Sequence, residues 1–170
     1  MKYEYGNMVN MSRDALVITT NGFVKKDGSC VMGRGIAKQI ANMFPRVPKI
    51  LGERILRHGN KVHHLTESPT LISFPVKATS EIYDGTNAVA HMVKNLKLGD
   101  KVPGWACKAR IDIIEKSLQE IVELADNNPH WKRILIPKVG CGAGELDFKV
   151  IKPLMEQYLD DRFICCDFRR

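Results

Sequence analysis

Ala15-Leu16-Val17-Ile18-Thr19-Thr20 is a compact apolar, β-branched run that stops at the turn pair Asn21-Gly22. A run of this kind is a buried strand emptying into a loop. The loop that follows, residues 23–31, is polar and carries Gly28. Gly33-Arg34-Gly35 then opens a segment with Ile36, Ile40, Met43 and Phe44 at helical spacing, and Pro45 ends it. The same succession returns near the other end of the chain. Arg133-Ile134-Leu135-Ile136-Pro137 reads as a second buried strand, Gly140-Cys141-Gly142-Ala143-Gly144 as its loop, and Val150, Ile151, Leu154, Met155 and Tyr158 as the helix behind it.

Outward from these two units the pattern continues to alternate. Lys2–Tyr5 is a short opening strand, and Ile50, Ile55 and Leu56 mark a helix ending near Gly59. Residues 62–65 and 70–76 read as strands separated by Glu67-Ser68-Pro69. Ile111, Ile114, Leu118, Ile121, Val122 and Leu124 form the stripe of an amphipathic helix that Asn127-Asn128-Pro129 ends. Residues 162–168 close the chain as a strand. The least legible stretch is 78–105, where a short helix over 88–98 is punctuated by Gly85, Gly99, Pro103 and Gly104; loops this long are usually covers or insertions. Strands alternating with helices predict an α/β sandwich in a single domain over residues 1–170, with an insertion at about 79–104 and no repeats.

Composition agrees with one globular domain: 170 residues, 44% hydrophobic and 26% charged. No apolar run approaches the ~18 residues of a membrane span. Met1-Lys2-Tyr3-Glu4-Tyr5 lacks the apolar stretch of a secretory signal, so a cytoplasmic location is expected. Cys30, Cys107, Cys141, Cys165 and Cys166 show no C-x-x-C spacing and read as reduced thiols. The formal charge of +7 suits an anionic partner. The adjacent basic pairs are Lys25-Lys26, Lys132-Arg133 and Arg169-Arg170, with no longer basic run, so charge alone does not make this a DNA-binding protein. The solvated charge suggests a monomer.

Glycine loops between a strand and a helix bring backbone N–H groups close to a ligand, and the helix behind them adds unsatisfied donors and a partial positive charge. Two such junctions at the carboxyl ends of neighbouring strands would flank a diphosphate. A Walker loop is absent, because no Gly-Lys-Ser or Gly-Lys-Thr exists. A dinucleotide fingerprint fails too, since Lys38 stands where the third glycine belongs. No cofactor is implied.

Gly6-Asn7-Met8, the run Asp14 through Asn21, Val31 through Ala37, Ser73-Phe74-Pro75-Val76-Lys77 and Ile136 through Phe148 together resemble the macrodomain family. Within it, the likeness is greatest to the DNA ADP-ribosyl glycohydrolase antitoxins, with the terminal ADP-ribose protein glycohydrolase next. The resemblance implies a three-layer α/β/α sandwich around a mixed sheet of about six strands. It also implies ADP-ribose, or an ADP-ribosylated macromolecule, as partner, with possible DNA contact. Asn7 would sit near the adenine and Asn21 near the distal ribose; each also reads as an ordinary turn residue. Met32, Gly33, Arg34, Gly35 and Ile36 would line the first phosphate loop, and Gly140, Cys141, Gly142, Ala143 and Gly144 the second. Cys141 alone reads as a small packing residue.

Lys77 by itself reads as a solvated charge at a strand end; the resemblance makes it the catalytic residue acting at the anomeric carbon of the distal ribose. It would serve as an amine of lowered pKa or as an ammonium stabilising the departing group. The protein-directed enzyme carries an aspartate in its second loop where this chain has Gly144, which favours the DNA-directed branch. Ile18 stands where many macrodomains have asparagine. His63 and His64 alternate across a strand and cannot chelate one metal together, and no metal site is expected. Trp105 reads as core or as a stacking surface for a base. The expected function is an ADP-ribosyl glycohydrolase; hydrolysis of ADP-ribose 1″-phosphate and non-catalytic reading of ADP-ribose are the alternatives.

Overall fold

A computed structural model describes residues 1–167. Its main sheet is made by Lys2–Tyr5 (β1), Ala15–Thr20 (β2), His63–Glu67 (β3), Thr70–Pro75 (β4), Ile134–Pro137 (β7) and Phe163–Asp167 (β8). The spatial order is β1-β8-β7-β2-β4-β3. All neighbours run parallel except β3, which returns antiparallel to β4. The central strands are continuous apolar runs because both faces are covered, the rule for parallel sheets.

Alternation along β2 divides the core. Leu16 and Ile18 face helices Gly35–Met43 (α1) and Val47–His58 (α2), where they meet Ile40 and Leu51. Ala15 and Val17 face Ile111–Asp126 (α3) and Phe148–Tyr158 (α4), against Ile114, Leu118, Ile121 and Ile151. In α3 the buried positions Ile114, Leu118, Ile121 and Ala125 repeat every three or four residues, as one helical face requires. This is the expected three-layer α/β/α sandwich around a mixed six-stranded sheet.

The chain leaves β2 toward α1 on one face of the sheet, and leaves the adjacent β7 toward α4 on the other. Loops diverging from neighbouring parallel strands open a crevice at their carboxyl ends. The residues after β4 emerge at the same edge.

Local details refine or correct the sequence reading in four places. The turn between β3 and β4 is Ser68-Pro69, and Glu67 still pairs with Thr70. α2 begins at Val47, because Pro48 in the first turn lacks only a donor that the helix leaves unpaired anyway. The helix expected over 88–98 is a short 3-10 turn, Ala90–Asn95, with no buried residue and hence no apolar face to stabilise a longer helix. Residues 79–107 instead hold a small antiparallel pair, Ser80–Ile82 (β5) with Lys101–Pro103 (β6), and a separate core of Tyr83, Ala88, Val102, Ala106 and Cys107. Phe168 and the pair Arg169-Arg170 lie outside the described residues. Among the described residues, no helix is long and apolar enough to cross a membrane.

Candidate functional site

A cavity of about 230 Å3 lies at the carboxyl edge of the sheet. The end of β2 supplies Thr19, Thr20 and Asn21, and the segment after β4 supplies Val76 and Lys77. Val31, Met32, Gly33, Arg34 and Ala37 come from the first glycine loop and α1, and Ala143 from the second loop. The stretch between β4 and α3 adds Val89, His91 and Trp105. The two glycine loops, more than a hundred residues apart in the chain, thus face one space.

Of the expected site residues, Lys77, Asn21, Met32, Gly33, Arg34 and Ala143 line this cavity. The others stand behind it or apart from it. Gly35 opens α1 with φ +56°, a conformation glycine adopts without strain, and Ile36 packs against the core beneath α1. Gly140 takes φ +74°, and a β-carbon there would stand 2.8 Å from Ile114 Cδ1. At Gly144 a β-carbon would lie 2.5 Å from the Gly140 carbonyl oxygen, so the second loop folds tightly on itself. Gly142 faces open space. Cys141 is half-buried, its thiol pushed up to about 11 by burial and aimed at the Val139 carbonyl. Asn7 accepts from the Val9 amide at 3.3 Å, capping a short turn, and does not line the cavity.

Asn21 closes its own loop. Its amide donates to the Val31 carbonyl at 2.9 Å and its oxygen accepts from the Phe23 amide at 2.8 Å. This brings Val31 to Arg34 back over the end of β2, where the first turn of α1 presents donors that no helical carbonyl can reach.

Lys77 is only 5% exposed. Its ammonium donates to the Trp105 carbonyl at 3.2 Å. Burial holds its pKa below the ordinary lysine range, and the nearby Arg34 charge acts the same way; Cys107 and Glu145 oppose them more weakly than burial. An amine on the cavity wall, desolvated in this way, is poised for nucleophilic or charge-stabilising work.

The contacts that residues 78–105 make with the site are what the sequence reading missed. Arg34 Nη2 lies 3.2 Å from His91 Nε2; a guanidinium only donates, so that ring nitrogen is the acceptor. The Ala90 amide donates to Glu145 Oε2 at 2.9 Å. Neighbouring residues of one short turn therefore touch both glycine loops. Gly104 lets the insertion reach Lys77, since a β-carbon there would stand 2.3 Å from the Ala78 carbonyl oxygen and 3.1 Å from that of Asn21. No periodicity in residues 78–105 announced these contacts. Elsewhere, the His63 ring contacts Gly59, and His64 meets the edge of Trp131. Among the described residues no group of three ligating side chains is placed to hold a metal.

No family model matches the chain. A DNA ADP-ribosyl transferase–DNA ADP-ribosyl glycohydrolase fusion protein of Thermosipho africanus is 27% identical over 133 residues, covering 76% of this chain and 32% of that protein. The chain therefore spans about a third of the length of that curated relative. Among solved structures, the macrodomain of Thermus aquaticus DarG superposes with a TM-score of 0.68 at 19% identity, over 97% of this chain and 95% of that one. Thermosipho africanus DarTG in complex with ADP-ribose gives 0.62 at 20% identity, over 93% of this chain and 39% of that one. The sheet order, the two glycine loops at one carboxyl edge and these likenesses establish that the chain has the macrodomain fold.

Proposed function

We propose that this chain binds ADP-ribose in the cavity between its two glycine loops and releases it from an ADP-ribosylated macromolecule, with Lys77 as the catalytic residue. The observation that carries the reading is the desolvated Lys77 side chain on the wall of a cavity that both loops share. The diphosphate would lie across the start of α1 and the Ala143 loop, where backbone amides and the helix dipole favour anions. The distal ribose would then sit beside Asn21 and Lys77.

At the anomeric carbon, a neutral Lys77 amine would attack as the bond to the modified group breaks, and that group leaves with the electron pair. Water then frees ADP-ribose and restores the amine. The lowered pKa favours this role over a permanently charged one. The mechanism uses no carboxylate from the second loop at position 144, where this chain has glycine; the neighbouring Glu145 is held by the Ala90 amide. The DNA ADP-ribosyl glycohydrolase named in the Thermosipho africanus fusion protein and the net charge of +7 favour a DNA-linked ADP-ribose over a protein-linked one.

The test is incubation with ADP-ribosylated DNA and ADP-ribosylated protein in parallel. Wild type is expected to release ADP-ribose, and Lys77→Ala to lose at least about a hundredfold in rate while still binding free ADP-ribose in calorimetry. Binding by wild type without turnover on either substrate would leave the chain a reader of ADP-ribose. Undiminished turnover by Lys77→Ala would remove the lysine from the chemistry.

A further inference from the structure

Asn60 lies in the turn between α2 and β3, outside the cavity lining, yet it touches both strand ends that carry the site. Its Nδ2 donates to the backbone carbonyl of Lys77 at 2.9 Å. Its carboxamide rests against Gly22, where a β-carbon would stand 2.5 Å from Asn60 Cγ and Oδ1. Gly22 takes φ +81° and directly follows Asn21, so the amide packs on the turn that Asn21 closes.

The turn holding Asn60 is itself braced. His63 Nε2 lies 2.9 Å from the Gly59 carbonyl, and a carbonyl accepts, so the ring donates. Asn60 Oδ1, by contrast, is buried with no hydrogen-bond partner among the described residues. A half-satisfied buried carboxamide lowers stability relative to an apolar side chain of the same shape. Its presence here is accounted for by what its other half holds.

We propose that Asn60 is a positioning residue for Lys77: it pins the backbone from which the ammonium projects and wedges the Asn21 turn beside it. The inference rests on the reading of Lys77 given above. Around Lys77 the other ties are the Val76 amide to the Thr20 carbonyl at 3.0 Å, the Arg110 amide to the Val76 carbonyl at 2.9 Å, and the ammonium to Trp105. None of the three grips the Lys77 backbone. Without Asn60 the Lys77 carbonyl loses this tie, and small misplacements of a reacting group lower rates steeply.

The experiment compares wild type with Asn60→Ala and with Asn60→Leu, which keeps a similar volume and removes the donor without adding a charge beside Lys77. Three quantities are read in the full chain: kcat for ADP-ribose release from modified DNA, affinity for free ADP-ribose, and the pH profile of Lys77 acetylation by acetic anhydride, followed by peptide mass. Both variants are expected to lose about tenfold or more in kcat with unchanged ADP-ribose affinity. Their Lys77 profiles should move to higher pH as the ammonium regains water. A wild-type kcat and profile in Asn60→Ala overturns the proposal, and so does a parallel loss of kcat and affinity. If wild type itself releases no ADP-ribose, the functional reading fails, while the acetylation profile still decides the role of Asn60. If neither Asn60 variant folds, Gly22→Ala displaces the same carboxamide, and an unshifted Lys77 profile there overturns the proposal.

Discussion

Two buried polar side chains at the site's strand ends, Thr20 and Lys77, have opposite consequences for stability and chemistry. Thr20 is 5% exposed and lines the cavity, yet its Oγ1 finds no partner among the described residues. Thr20→Val keeps the branched shape and removes an unsatisfied hydroxyl, so it is expected to stabilise the fold by about 1 kcal/mol. The midpoint of urea unfolding measures this, and a loss of similar size would show that the hydroxyl is bonded in solution. Lys77 tolerates its burial because its ammonium retains a carbonyl partner and a cavity to face. Its lowered pKa means that the neutral amine appears at lower pH than for an ordinary lysine. ADP-ribose release should accordingly rise with pH along a limb set by Lys77, beginning below the ordinary lysine value of 10.5. A pH–rate profile without that limb would argue against an amine nucleophile.

At the scale of elements, the insertion and the two glycine loops are interlocked by close backbone approaches. Gly104 is one such point, because its neighbours are carbonyl oxygens that cannot rotate away. Gly104→Ala is expected to destabilise the protein by about 1–3 kcal/mol, the range for overpacking a tight contact. It should also lower ADP-ribose release, since Trp105, whose carbonyl holds Lys77, is the next residue. Comparison of urea midpoint and turnover checks both effects; full activity and stability would mean that the insertion can lift from the sheet at little cost. The same tight packing appears under α2, where a β-carbon at Gly52 would stand 1.9 Å from the Gly28 carbonyl oxygen. That contact seats the first loop on the helix and leaves its far end for the cavity.

For the whole molecule, the buried His63 couples stability to pH. Burial is the main cause of its lowered pKa, and the Gly59 carbonyl only partly offsets it. The unfolded chain then binds a proton more readily than the folded one, so this histidine's contribution is present above 6.5 and is lost as pH falls toward its depressed value. Urea unfolding at about pH 7.5 and about pH 5 should show greater stability at the higher pH. His63→Gln, which can still donate toward Gly59, should show a smaller difference. An identical pH dependence in that variant would assign the effect to other groups.

Through the family resemblance the sequence made Lys77 a candidate, and by itself it determined the alternation of strands and helices and the two glycine loops. These are local properties: hydrophobic period, β-branching and glycine are set by neighbours a few residues apart. Tertiary structure alone decided that the loops share one cavity, that the insertion walls it, and that Asn60 grips the Lys77 backbone. Arg34 to His91 spans 57 residues, Ala90 to Glu145 spans 55 and Lys77 to Trp105 spans 28. Contacts between polar groups so far apart in the chain leave no periodic trace, because what brings them together is the packing of the elements that carry them.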